Sequence, residues 1–229
     1  MSLDSTKLFT DNDLYDGLTD DQLKRLLDLA KVRELPARTY LFHQHSEANS
    51  LYNIDQGVLM VERSTAAGRR QIMSFVFAGN FLGFTHSDFF EYSVQSLAKS
   101  KVLEFPRKDF LALCAEIPTL KKNIDTITGK VMMRLFDQLF AVGQKKAHER
   151  VGYLLHQLFE RQTIAGCYSF ELVMSRQDMA DYLGLTLETV SRAFTRLQKE
   201  NIIKVLSAHY VEVLDEKRLE AMAYSEDIK

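Results

Sequence analysis

Hydrophobic spacing changes period along the chain, and each change marks a different kind of element. Near the start, Leu23, Leu26, Leu27 and Leu29 follow Asp20 and Asp21, which predicts a short helix. From Leu35 to about Phe105 the pattern becomes short β-type runs: Tyr40-Leu41-Phe42, Leu51–Ile54, Val58–Val61 and Ile72–Phe77. Gly57, Gly68 and Gly79 recur eleven residues apart in the turns between such runs. That rhythm predicts an antiparallel barrel or sandwich, with glycine relieving the steric cost of positive φ.

Pro118 opens a segment free of further proline, and proline suits a helix's first turn because its missing N–H would be unpaired there anyway. Leu120, Ile124, Ile127, Val131, Leu135, Leu139 and Val142 follow at spacings of three or four, one apolar stripe on a long helix. The stripe needs a cover, either the chain's own barrel or a parallel copy of itself, and spacing does not choose between them. Gly143-Gln144-Lys145-Lys146 reads as a hinge, Ala147 to about Arg161 as a second helix, and residues 162–174 as a loop with a short strand.

The next segment carries the chemistry. Ser175 with Asp178 three residues on is a capping box, using Asp where Glu or Gln is usual. Met179, Ala180 and Leu183 give a first short helix its apolar face, and Gly184 suits a sharp turn. Thr186 can cap a second helix, 187–200, in which Val190, Phe194 and Leu197 share one face. Glu188, Ser191, Arg192 and Thr195 share the opposite face. Arg donates two hydrogen bonds to guanine, Glu accepts from cytosine N4, and Ser does either, so this face has the chemistry to read base edges. A polar helical hairpin would carry a similar face. The flanks decide against it: Ile202–Leu206, a turn at Ser207-Ala208 and Tyr210–Leu214 predict a β-hairpin directly after the two helices, the arrangement of a winged helix.

Composition narrows the partners. Net charge is −2 and pI about 6.3, so DNA binding requires locally concentrated positive charge rather than bulk attraction. Apolar runs fall short of the ~18 residues a membrane helix needs, and the first residues lack a signal-peptide core, which points to a cytoplasmic protein with no membrane partner. Cys114 and Cys167 are two free thiols far apart, with no metal-ligand spacing, and Cys114 among Leu111, Leu113 and Ile117 reads as buried and inert. No catalytic constellation is present, so an enzyme is not expected.

From Leu35 to Leu214, and most closely over Met174–Arg192, the chain resembles the CRP/FNR family of bacterial transcription regulators. Glu188-x-x-Ser191-Arg192 looks like the signature of the FNR/FixK branch. The fold implied is α+β. It comprises an antiparallel β-roll like a cyclic-nucleotide-binding domain (1–116), a dimerisation helix (117–144) and a winged helix-turn-helix (145–229). The resemblance implies a homodimer on double-stranded DNA with TTGAT-N4-ATCAA-like operators, and RNA polymerase as a partner. Glu188, Ser191 and Arg192 would read bases. Arg176, Gln177, Thr186 and Thr189 would touch the DNA backbone, and Arg196 and Lys199 are placed for phosphate contact or plain solvation. The long stripe then becomes a dimer seam, at Ile124, Ile127, Val131, Leu135 and Leu139.

The sensor half departs from the family at its chemistry. The Gly-Glu pair for a cyclic nucleotide's ribose reads Gly83-Phe84, and the Arg-Ser pair for its phosphate reads Tyr92-Ser93. Losing that arginine removes a charge-assisted contact worth about 1.5–3 kcal/mol, and Phe84 would crowd the ribose position, so cyclic AMP is not expected. N-terminal cysteines for an iron–sulfur cluster are missing too. His45 replaces a common turn glycine. His43 and His45 alternate on an expected strand and would share a face, which keeps a haem-sensing or other small-ligand regulator as an alternative. The aromatic cluster Phe81, Phe84, Phe89, Phe90 and Tyr92 reads as core or as an apolar ligand pocket. A further alternative is an assembly module without DNA, which the polar face of helix 187–200 disfavours.

Overall fold

The computed structural model describes residues 13–162 and 168–224. It begins with α1 (Asp20–Asp28), capped by Thr19 and Gln22 in a reciprocal box. Eight strands follow: β1 (Lys31–Leu35), β2 (Tyr40–Phe42), β3 (Ser50–Gln56), β4 (Val58–Ser64), β5 (Arg70–Phe77), β6 (Phe81–Leu82), β7 (Ser93–Ser96) and β8 (Ser100–Pro106). They build two antiparallel four-stranded sheets, ordered β1-β8-β3-β6 and β2-β7-β4-β5. Residues that point inward alternately from both sheets, including Leu41, Ile54, Leu59, Val94 and Val102, make one core. This is the antiparallel two-sheet architecture the glycine rhythm predicts and the β-roll the resemblance implies, with Gly57, Gly68 and Gly79 at φ of 95°, 75° and 84°.

The sheets are followed by α2 (Arg107–Glu116), which the sequence reading does not anticipate, and by α3 (Pro118–Gln144). A second core joins Leu14, Leu26, Phe105, Phe110, Ile117, Leu120 and Ile127, so α1, α2 and the start of α3 close one end of the roll. Cys114 lies in this core, and burial pushes its thiol up to about 11. It is an inert thiol, as its neighbours suggest; Cys167 lies outside the described residues.

The remaining elements are α4 (Ala147–Gln162), β9 (Ser169–Glu171), α5 (Arg176–Leu183), α6 (Leu187–Lys199), β10 (Ile203–Val205), β11 (Tyr210–Val213) and α7 (Glu216–Tyr224). β10, β11 and β9 form a three-stranded antiparallel sheet beside the helices, completing a winged helix. α4 is its hub, burying Val151, Leu154, Leu155, Leu158 and Phe159. Gly152 lets α7 approach, because a Cβ there would lie 2.7 Å from Met222 Sδ. The chain divides into two compact units, Met1–Leu135 and Phe136–Lys229, so the division falls inside α3 rather than at its ends. Among the described residues no helix is long and apolar enough to cross a membrane.

One polar clasp holds the first unit's N-terminal turn. Buried Asn123 of α3 donates to the carbonyls of Leu14 (3.1 Å) and Asp16 (2.7 Å), while the Tyr15 hydroxyl donates to Asn53 Oδ1 at 2.9 Å. Asn123→Ala leaves both carbonyls without that donor. It should lower the unfolding free energy of this unit by about 1–3 kcal/mol, read as a lower urea midpoint at unchanged slope.

Candidate nucleic-acid interface

The two helices of the reading motif are fixed at their ends by side-chain caps. Ser175 Oγ accepts the Asp178 amide, and the buried Asp178 carboxylate accepts the Ser175 amide (3.0 Å) and hydroxyl (2.7 Å). α5 ends at Gly184 in the left-handed region, φ 62° and ψ 42°. Thr186 then starts α6, its Oγ1 accepting the Thr189 N–H at 3.2 Å. The expected capping box, turn glycine and second cap are all present in the structure.

Val190, Ala193, Phe194 and Leu197 bury one face of α6, and Glu188, Ser191, Arg192, Thr195 and Lys199 are exposed on the other. Glu188 sits in the first turn, where a hydrogen bond from its own backbone N–H, then one from the Thr186 side chain, hold its carboxyl below the usual range. It is therefore ionised at neutral pH and can only accept. Ser191 Oγ donates to Leu187 O (3.0 Å) and Thr195 Oγ1 to Ser191 O (3.1 Å), leaving their oxygens available as acceptors toward solvent. Arg192 Nη2 rests on Thr189 Oγ1 at 3.3 Å. Acceptors, the Arg192 guanidinium and the Lys199 ammonium thus line the exposed face.

The expected backbone contacts divide. Arg176, at the first position of α5, stands 3.2 Å above the Phe194 ring, with Nη1 donating to Met179 Sδ at 3.4 Å. Burial pushes its pKa down to about 10, so it stays charged at neutrality, and among the described residues no carboxylate pairs with it. Gln177 is exposed and donates to Asp181 Oδ1 at 2.7 Å. Arg196 is turned aside: Nε donates to Glu200 Oε1 (2.7 Å) and Nη1 meets His148 Nδ1 (3.2 Å). The Arg176–Phe194 stack and the Arg196 ties join residues from different elements, so spacing alone does not reveal them.

The expected seam also divides. Ile127 is only 7% exposed and belongs to the first unit's own core, with Ile124 packed against that core. Ile127 is therefore covered within the chain and Ile124 partly so, while Val131, Leu135 and Leu139 face solvent, at 42%, 42% and 70% exposure. Met132, Phe136 and Phe140 are exposed beside them, which the reading of one stripe overlooks.

In the β-roll, Gly83 stands at φ 98°, and a Cβ there would lie 2.9 Å from Ser50 O. Its N–H donates to the Tyr92 hydroxyl at 3.2 Å, and the Tyr92 ring lies 5.5 Å from that of Phe42. Ser93 Oγ accepts the Gln44 N–H at 2.8 Å. Phe84 does not lie with them in the core between the sheets. It packs against the core at the end of the roll, 5.1 Å from the Phe81 ring. The Arg107 guanidinium straps the intervening loop by donating to Thr85 O, Ser87 O and Ala48 O. These groups do not fit a cyclic nucleotide: the amide and hydroxyl that would hold it already serve the chain, and neither Gly83, Phe84, Tyr92 nor Ser93 carries a charge.

His43 and His45 do not share a strand face either, because β2 ends at Phe42. The His43 ring lies 4.3 Å from that of Tyr40, and His45 takes φ 70° in the turn, keeping the left-handed geometry without glycine. Tyr92→Phe should leave the Gly83 amide without its acceptor and destabilise the first unit by about 1–3 kcal/mol. Titration calorimetry with cyclic AMP should give no binding heat with either protein; saturable binding to the unaltered chain would refute this account of the cradle.

Comparison with known proteins agrees with the geometry in both halves. A family model described as the cyclic nucleotide-binding domain matches residues 32–117, and one described as the Crp-like helix-turn-helix domain matches residues 149–222. The nitrogen fixation regulation protein FixK of Bradyrhizobium diazoefficiens is 33% identical over 208 residues, covering 86% of this chain and 87% of that protein. The transcriptional activatory protein AadR of Rhodopseudomonas palustris is 34% identical over 187 residues, covering 80% and 77%. The solved structure of FixK2 from Bradyrhizobium japonicum superposes with a TM-score of 0.80 at 25% identity, covering 86% of this chain and 98% of that one. The chain therefore belongs to the CRP/FNR family of transcription regulators, in its FixK-like branch.

Proposed function

We propose that the protein is a homodimer that reads TTGAT-N4-ATCAA-like operators in double-stranded DNA through α6. The observation that carries this reading is the exposed face of α6, where Glu188, Ser191 and Arg192 project opposite the buried Val190, Phe194 and Leu197. Arg192 would donate to guanine O6 and N7, and Glu188 would accept from cytosine N4. Arg176 supports the same interface, because a half-buried guanidinium without a carboxylate is completed by a phosphate. Thr186, Thr189, Gln177 and Lys199 lie near the start of the two helices or along the exposed face and would add backbone contacts.

The second copy is supported by α3. Val131, Met132, Leu135, Phe136, Leu139 and Phe140 are large apolar side chains left in water on one helix, a patch that association removes. A two-fold pair would then set its α6 helices one DNA turn apart, about 34 Å, in successive major grooves. On this reading residues 1–116 form the effector part, α3 the seam, and 145–229 the DNA-binding part. RNA polymerase is the further partner that family membership suggests.

Titration of a TTGAT-N4-ATCAA duplex against a scrambled one should show clear preference for the first; equal affinities would overturn specific reading. Arg192→Ala should cost about 1–3 kcal/mol per half-site and relax selectivity at its guanine. Arg176→Ala should weaken both duplexes alike and reduce the slope of log affinity against log salt by about one per half-site.

A further inference from the structure

Taking α6 as the DNA-reading helix, the question is what fixes its rotation and depth. At about 100° per residue, Ser191, Arg192, Thr195 and Lys199 fall within about 60° of Glu188, while Arg196 lies about 80° and Glu200 about 120° away. The last two therefore flank the reading face rather than belong to it. Their partners come from two other helices. Arg196 Nη1 meets His148 Nδ1 of α4 at 3.2 Å, and its Nε donates to Glu200 Oε1 at 2.7 Å. From α7, Arg218 donates Nη1 to the Glu200 carbonyl at the C-cap (2.8 Å) and Nη2 to Glu200 Oε2 (3.2 Å). A cation on the final carbonyl is what a helix C-terminus favours.

The contact with His148 fixes a protonation state. A guanidinium only donates, so Nδ1 of His148 must be the acceptor and the neutral ring carries its proton on Nε2. Nε2 faces Glu149 Oε1 at 3.9 Å, and Glu149 Oε2 is already engaged by the Lys146 N–H at 2.7 Å. A second proton would have to enter at Nδ1, the atom that holds Arg196. It would break the bond and set two cations side by side.

We propose that Arg196 is not a phosphate contact but the tie through which α4 and α7 set the pose of the recognition helix. His148 and Glu200 are its positioning residues, and neutral His148 is the holding form. The groups facing His148 are Lys146 and Glu149 beside it, Arg196 and Glu200 from α6, and Arg218 beyond Glu200 from α7. Burial first, then Arg196, lower its pKa from the ordinary 6.5, outweighing Glu149 and Glu200. The neutral form is thus favoured in the fold. The tie is intact at neutral pH and is lost as pH falls below the ordinary histidine range.

The test compares the unaltered protein with His148→Gln, His148→Ala and Arg196→Gln on operator and scrambled duplexes, from pH 8 to 5.5 at constant ionic strength. Gln keeps a neutral acceptor for Arg196 at every pH. The unaltered protein should lose operator preference at the acid end, by about two- to fivefold per half-site, the worth of one exposed charged contact. His148→Gln should lose less over the same interval, and His148→Ala should show the reduced preference already at pH 8. Arg196→Gln should lower preference while leaving the salt slope unchanged. A slope reduced by about one per half-site would put Arg196 on phosphate and overturn the proposal. Identical pH profiles for the unaltered protein and His148→Gln would overturn it as well. Independently of DNA, the nitrogen spectrum of ¹⁵N-labelled His148 at pH 7.5 should show an unprotonated Nδ1; a proton there would refute the tie in any variant background. Absence of operator preference in the unaltered protein at pH 8 would instead strike at the DNA reading itself.

Discussion

The burial of one face of α6 is the constraint from which its exposed polar surface follows. Val190, Ala193, Phe194 and Leu197 occupy the interior of the winged helix, and each large side chain among them gains about 1.5–3 kcal/mol by leaving water. Turning the helix by half a revolution would expose those residues and drive Glu188 and Arg192 inside, where unpaired charges are far more costly. The polar face is outward because no other rotation is tolerable. Glu188, Ser191 and Arg192 can then change without disturbing the core. Phe194 serves both sides, since its ring is interior packing and also the platform on which Arg176 rests.

The β-roll keeps the family's frame and replaces its chemistry. Gly83 retains the left-handed backbone and close approach to Ser50 that the fold needs at that corner. The Gly83 amide is taken by Tyr92, and the loop between them is tied by Arg107, which donates to two of its carbonyls and to that of Ala48. A guanidinium bonded only to backbone acts as a strap, so the segment's order comes from the chain itself. His45 makes the same point at another turn: the geometry persists at φ 70° without the glycine that would make it strain-free.

α3 shows how one periodic stripe can be divided between two purposes. Its first turns send Leu120 and Ile127 into the core that closes the end of the roll, and its later turns leave Val131, Leu135 and Leu139 in water. Spacing of three and four is satisfied by both, because periodicity records only that a face is apolar. What covers each part depends on where the neighbouring elements end.

The amino-acid sequence by itself determined four of the eight strands of the β-roll, the long helix opened by Pro118, both caps and the turn glycine of the helix-turn-helix, and which face of α6 is polar. These are local properties: side-chain period, conformational freedom at Gly57, Gly68, Gly79 and Gly184, and cap residues one turn from the amides they serve. The signal for α7 was also there to be read, since Asp215 accepts the Arg218 amide and Leu219 and Ala223 are buried one turn apart. Tertiary structure alone decided the contacts between residues far apart in the chain. Arg196 with His148, 48 residues away, Asn123 with Leu14, the division of the α3 stripe and the packing of Phe84 at the end of the roll all belong to this class. Each depends on which elements come to lie side by side, and a side chain's partner across such a contact leaves no mark on the spacing of its own neighbours.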